Sequence, residues 1–125
     1  MQEYTAVIAM LALIQCIYFS ICVGRAREKC GVAAPATTGN ADFERAFRVH
    51  YNTLEQLVIF IPALFTFSYY VNPLWAQVIG VIYIIGRFVY AQGYMADAKK
   101  RGPGMIMTLL SNVVLVIGTI IGVFI

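Results

Sequence analysis

At 125 residues, 61% hydrophobic and 12% charged, with mean hydropathy +0.78, the chain is too apolar for a soluble domain and has the length of one bilayer-embedded domain, 1–125. Its formal net charge of +3 is modest, and no stretch interleaves basic residues with exposed aromatics, which argues against nucleic-acid binding. Cys16, Cys22 and Cys30 form no disulfide framework and no Cys-x-x-Cys pair, and His50 is the lone histidine, so no metal site is expected.

Tyr4 to Val23 supplies about 20 uncharged, mostly apolar residues, enough to cross about 30 Å of hydrocarbon. The start, Met1-Gln2-Glu3-Tyr4, has no basic n-region and the apolar run is too long for an h-region, so this is read as a retained transmembrane helix. Arg25 to Asp42 reads as the main polar loop, with Asp42 as N-cap of a second helix over 43–70. That helix is charged in its first turns, continuously apolar only from Leu54, and carries Pro62, which predicts a kink. Val71-Asn72-Pro73 is a short turn. A third helix over 74–98 contains Arg87 inside its apolar span, ends in Lys99-Lys100-Arg101, and meets a Gly/Pro stop. A fourth span, 105–125, has no charge. The fold class predicted is therefore an all-α membrane protein, a bundle of four transmembrane helices.

Eight of the nine Lys/Arg residues lie in the first and third loops and their flanks, which share one side of such a bundle. By the positive-inside rule that side is cytoplasmic and both termini face away from it. Gly80 and Gly86, and Gly118 and Gly122, are candidate positions of close helix packing.

Two polar stripes interrupt the apolar helices. Arg48, Asn52 and Glu55, at i, i+4 and i+7, share one face of the second helix; Tyr83, Arg87, Tyr90 and Tyr94 share one face of the third. Arginine forks bind carboxylates, a glutamate holds an ammonium, and Asn and Tyr fix orientation, so the set suits a small zwitterion with more than one carboxylate. The plainer alternative is that Glu55 pairs with Arg87 or Arg48 to hold helices together.

Phe43-Glu44-Arg45-Ala46-Phe47-Arg48, followed by Asn52 and Glu55 and preceded by Thr37-Thr38-Gly39, resembles the signature of the MAPEG family, the membrane-associated proteins in eicosanoid and glutathione metabolism. Arg87-Phe88-Val89-Tyr90-Ala91-Gln92-Gly93-Tyr94, with Arg101 beyond, is similar to the family's third-helix block. The nearest branch in resemblance is that of the microsomal glutathione transferases and leukotriene C4 synthase. The resemblance implies a homotrimer with glutathione as co-substrate between subunits. Arg27, Arg48, His50, Asn52, Glu55, Arg87, Tyr90, Gln92 and Tyr94 would be its binding residues, and Arg101 the residue that activates its thiol. His50 departs from the glutamine common in that branch, and Gln56 from the tyrosine that often follows the glutamate.

The activity so implied is attack of a glutathione thiolate on a lipophilic electrophile from the bilayer, with glutathione peroxidase chemistry available to the same thiolate. Two rivals stand beside it. One is a non-catalytic lipid-binding scaffold of the same family; the other is a small four-helix transporter coupled to protons at Glu55.

Overall fold

Four antiparallel helices make up nearly all of residues 1–125, the whole of which is described by this computed structural model. They are α1 (Gln2–Cys30), α2 (Ala41–Tyr70), α3 (Pro73–Ala96) and α4 (Gly102–Phe124), with a 3₁₀ turn at Ala98–Arg101 leading into α4. α1 outlasts the apolar run that predicted it. Arg25, Ala26, Arg27, Glu28 and Lys29 are strong helix formers and carry it to Gly31, which closes it in the left-handed region at φ 70°. The N-cap of α2 is Asn40, not Asp42: the Asn40 side chain accepts from the Phe43 amide at 3.1 Å, while Asp42 pairs with Arg45 at 3.1 Å. α3 ends at Ala96, shorter than expected, because the Asp97 side chain turns back to accept from the Lys99 amide at 3.1 Å and starts the 3₁₀ turn. α2 runs unbroken through Pro62.

α2 and α3 each pack on all the other helices, and α1 and α4 flank them. The core joins Ala9, Ala12 and Cys16 of α1 to Leu57, Phe60, Leu64 and Phe67 of α2, Ala76 and Tyr83 of α3, and Leu115 of α4. Its centre is the Phe60–Tyr83 ring stack, with centroids 3.8 Å apart. Small residues set the helix spacing. A Cβ at Gly80 would reach Ile8 of α1, one at Gly118 would reach the Phe67 ring, and one at Gly122 would reach Val71. These glycines serve packing within the chain.

Outside, side chains such as Ile14, Ile17, Val58, Leu109, Leu110 and Ile117 are exposed, forming an apolar surface far larger than a water-soluble monomer carries. α1, α3 and the segment Ala98–Phe124 are each long and apolar enough to cross a membrane. α2 is as long but less apolar, because its first half carries the charged stripe. Gln77 Nε2 donates to the Met1 carbonyl at 2.9 Å and Gln2 Nε2 to that of Ser68 at 3.2 Å. Together with the Gly122–Val71 contact, these bonds place both chain termini at the end of the bundle that holds the α2–α3 turn. The opposite end gathers every Lys and Arg except Arg87.

Candidate functional site

The two polar stripes meet through Arg87. Its guanidinium is 1% exposed, and three neutral oxygens hold it: Asn52 Oδ1 at 2.8 Å and Thr53 Oγ1 at 3.0 Å on α2, and Thr108 Oγ1 at 3.2 Å on α4. Both threonine hydroxyls donate onward along their own helices, Thr53 to the Val49 carbonyl at 2.7 Å and Thr108 to that of Gly104 at 2.9 Å. The guanidinium therefore leans on two helix backbones as well as on three side chains. Tyr90 covers it from the side, with its ring centroid 4.3 Å from Arg87 Cζ. One Arg87 donor, Nε, has no partner.

No carboxylate reaches this cation. The chain's ion pairs are Met1–Glu3 and Asp42–Arg45, so the reading in which Glu55 glues helices to Arg87 or Arg48 does not hold. Arg87 binds its neighbours through hydroxyl and amide oxygens, leaving Glu55 exposed on the outer face of α2. Arg48 is exposed too, and its guanidinium lies 5.6 Å from the Tyr51 ring centroid. Arg101 is exposed at the end of the 3₁₀ turn, where Nη1 donates to the Ala98 carbonyl at 2.6 Å. Tyr90 is buried and Tyr94 half-buried, their ring centroids 5.6 Å apart. Arg87 lies against the Tyr90 ring within the bundle, and Arg48 and Arg101 stand exposed at the basic end beyond it. Fixed positive charge gathered in this way favours an anion, and Glu55 is an exposed carboxylate on the same helix as Arg48.

The remaining candidates lie apart from this cluster. Arg27 stacks over the Phe43 ring at 4.7 Å, and its Nη1 donates to the Ala36 carbonyl at 2.7 Å, so within one subunit it ties the α1–α2 loop to α2. His50 points 200° around α2 from Arg48 at 100° per residue, toward the half-buried side. It precedes the apolar run of α2, and burial lowers its pKa. Gln92 lies across α3 from Tyr90 and Tyr94, on the wall of an apolar groove formed with α1 and α2. Gln56, the second departure from the family pattern, has a structural partner here: Asn112 Nδ2 of α4 donates to Gln56 Oε1 at 3.0 Å.

Sequence reasoning passed over Thr53, Thr108 and Gly104. A Cβ at Gly104 would overlap Tyr90 N and Cα and sit 2.7 Å from the Gly86 carbonyl oxygen; its absence brings α4 close enough for Thr108 to reach Arg87. The signal available was the Gly104-x-x-x-Thr108 spacing, one helical turn beside the buried arginine.

The sequence profile of the MAPEG family matches residues 5–121. An uncharacterized protein of Synechocystis sp. is 46% identical over 96% of this chain and 88% of its own length. Human microsomal glutathione S-transferase 2 is 41% identical over 83% of this chain and 71% of its own. Leukotriene C4 synthase of Rattus norvegicus is 34% identical over 81% and 69%.

Proposed function

The chain belongs to the MAPEG family, and from that premise we propose that it is a membrane-bound glutathione transferase. The observation that carries the reading is the set of exposed groups without ionic partners, Arg48, Glu55 and Arg101, arrayed around the buried Arg87 network at the basic end. Glutathione has two carboxylates, one ammonium and a thiol. Arg48 supplies a fork for a carboxylate, Glu55 an acceptor for the ammonium, and Asn52, Tyr90 and Tyr94 neutral groups that set orientation. Arg87 is closed off within the subunit, so its part is to hold Asn52, Thr53 and Tyr90 in place rather than to touch ligand.

A free thiol titrates near pH 8.5, so at neutral pH it is mostly protonated and unreactive. Arg101 stays charged at physiological pH, and a guanidinium against the sulfur favours the thiolate by about 1.4 kcal/mol for each unit of pKa lowered. The thiolate then attacks an electrophilic carbon of a lipophilic substrate: the C–S bond forms, and the displaced electron pair leaves with its group or takes up a proton. Because Arg48 and Glu55 open outward, the seat is completed by a neighbouring copy in a homotrimer, which contributes Arg101. The basic end faces the cytoplasm by the positive-inside rule.

The test is ultraviolet difference spectroscopy of glutathione added to the purified protein in detergent, read for thiolate absorbance. Arg101→Ala should abolish the thiolate signal and cut turnover at least about tenfold, the loss of one pKa unit of activation, with glutathione affinity largely kept. Absence of any saturable signal in the wild type refutes the transferase reading. Loss of binding together with turnover in Arg101→Ala assigns that residue to structure.

A further inference from the structure

The short 3₁₀ turn that carries Arg101 is folded back against α3, and the two meet at Gly93. Gly93 lies one helical turn beyond Tyr90 and next to Tyr94, on the face of α3 that carries both tyrosines. A Cβ at Gly93 would overlap the Lys100 carbonyl oxygen, and it would stand 3.0 Å from the Lys100 carbonyl carbon and 3.7 Å from the Arg101 amide nitrogen. These three atoms are the peptide group that joins Lys100 to Arg101. All are backbone, so no change of rotamer makes room. Only glycine lets that peptide rest directly on α3.

The rest of the turn is tied to the same place through Asp97. Its amide donates to the Gly93 carbonyl at 3.0 Å, its carbonyl accepts from the Lys100 amide at 2.8 Å, and its side chain accepts from the Lys99 amide at 3.1 Å. The Arg101 head group belongs to this body as well, because Nη1 donates to the Ala98 carbonyl at 2.6 Å. A guanidinium has five N–H donors, so that bond leaves most of the fork available to a ligand. Backbone and head group therefore move together, and where the turn sits on α3 decides where the guanidinium sits.

We propose that Gly93 is a positioning residue for Arg101: by leaving room for the Lys100–Arg101 peptide, it sets the point at which the guanidinium meets the thiol of glutathione. The inference rests on the thiol-activating role proposed above for Arg101. A methyl at position 93 pushes the peptide out from inside 3.0 Å to ordinary contact at 3.4 Å or more. A charged hydrogen bond to sulfur depends on both distance and direction, and a misplacement of about 1 Å can cost as much as 10²-fold in rate. Arg48, Asn52 and Glu55 lie on α2 and do not touch Gly93 or the turn, so the substitution acts on thiol activation and spares the groups that bind the rest of the tripeptide.

The test titrates glutathione bound to the full chain in detergent, following thiolate absorbance from about pH 5 to 9. In Gly93→Ala the thiol pKa should rise toward its free value of about 8.5, lowering the thiolate at pH 7 about three- to tenfold, while the glutathione Kd from equilibrium dialysis stays within about twofold. Gly102→Ala, on the other side of Arg101, adds a methyl that meets nothing within 4 Å and should titrate as wild type. Asp97→Ala frees the Lys99 amide without crowding α3, so it should shift the pKa in the same direction and keeps the test decisive if Gly93→Ala does not fold. A Gly93→Ala protein with a lowered Tm and a wild-type thiol pKa overturns the proposal, as does an unshifted Asp97→Ala. Loss of glutathione binding in Gly93→Ala overturns it too, since the glycine would then shape the seat and not the arginine. Absence of a saturable thiolate in the wild type overturns the transferase reading and this proposal together, whereas a normal wild-type signal that Gly93→Ala leaves unchanged overturns the proposal alone.

Discussion

Two glycines two residues apart should respond to the same substitution in opposite ways. At Gly102 an added Cβ meets nothing within 4 Å, and the residue sits at φ −54°, which alanine adopts freely. At Gly104 the same methyl overlaps the Tyr90 backbone and comes 2.7 Å from the Gly86 carbonyl oxygen, where ordinary contact begins at 3.4 Å. None of these obstacles is a flexible side-chain end, so α3 and α4 must part by something on the order of 1 Å, an overpacking cost of about 1–3 kcal/mol. Thr108, one turn along α4, then moves out of the 3.2 Å bond to Arg87, which removes a hydrogen bond to a charged group, worth about 1.5–3 kcal/mol. The expected loss in Gly104→Ala is about 2.5–6 kcal/mol, roughly 8–24 °C in Tm for a chain of this size. Gly102→Ala should remain within about 0.5 kcal/mol of wild type. A fluorogenic thiol dye reads both in detergent, because Cys16 lies buried in the core and reacts on unfolding. Gly104→Ala unfolding within a degree or two of Gly102→Ala would refute the claim that this glycine sets the α3–α4 distance and, through it, the Arg87 network.

Arg87→Lys should destabilise the bundle by about 1–3 kcal/mol, because an ammonium on a flexible stem cannot span Asn52, Thr53 and Thr108 as the planar fork does. Glutathione affinity should fall with it as Asn52 loses its anchor; an unchanged Tm and Kd would strip Arg87 of its positioning role. Gln56→Leu should cost about 1–3 kcal/mol by leaving both ends of the buried Asn112 amide unpaired, and the added Asn112→Leu should restore most of the loss in thermal unfolding. For His50, burial places the folded pKa below the unfolded value of about 6.5, so the unfolded chain binds the proton first. Stability should be complete above about pH 6.5 and decline as pH falls below it, and His50→Gln should flatten that decline when Tm is followed from pH 7.5 to 5.

The sequence by itself determined the fold class, the number of helices and the faces on which the polar side chains lie. Those features follow from hydropathy and the period of 3.6 residues, which act locally and are insensitive to what a helix packs against. Helix ends were less legible. α1 ran past its apolar stretch because Arg25 to Lys29 favour helix whatever their polarity, and Asn40 took the cap expected of Asp42 because the two lie only two residues apart. Tertiary structure decided which polar residues do structural work. Arg87 and Arg48 look alike in a stripe, yet one is sealed among Asn52, Thr53 and Thr108 and the other stands open. That difference depends on α4 approaching α3 at Gly104, a contact between residues whose sequence spacing says nothing of their distance. Gln92, by contrast, was already separable from Tyr90 and Tyr94 by its helical angle, and only the packing of α1 shows that it borders an apolar groove. Helical periodicity fixes a side chain's direction, while burial and partnership are set by the neighbouring helix it meets there.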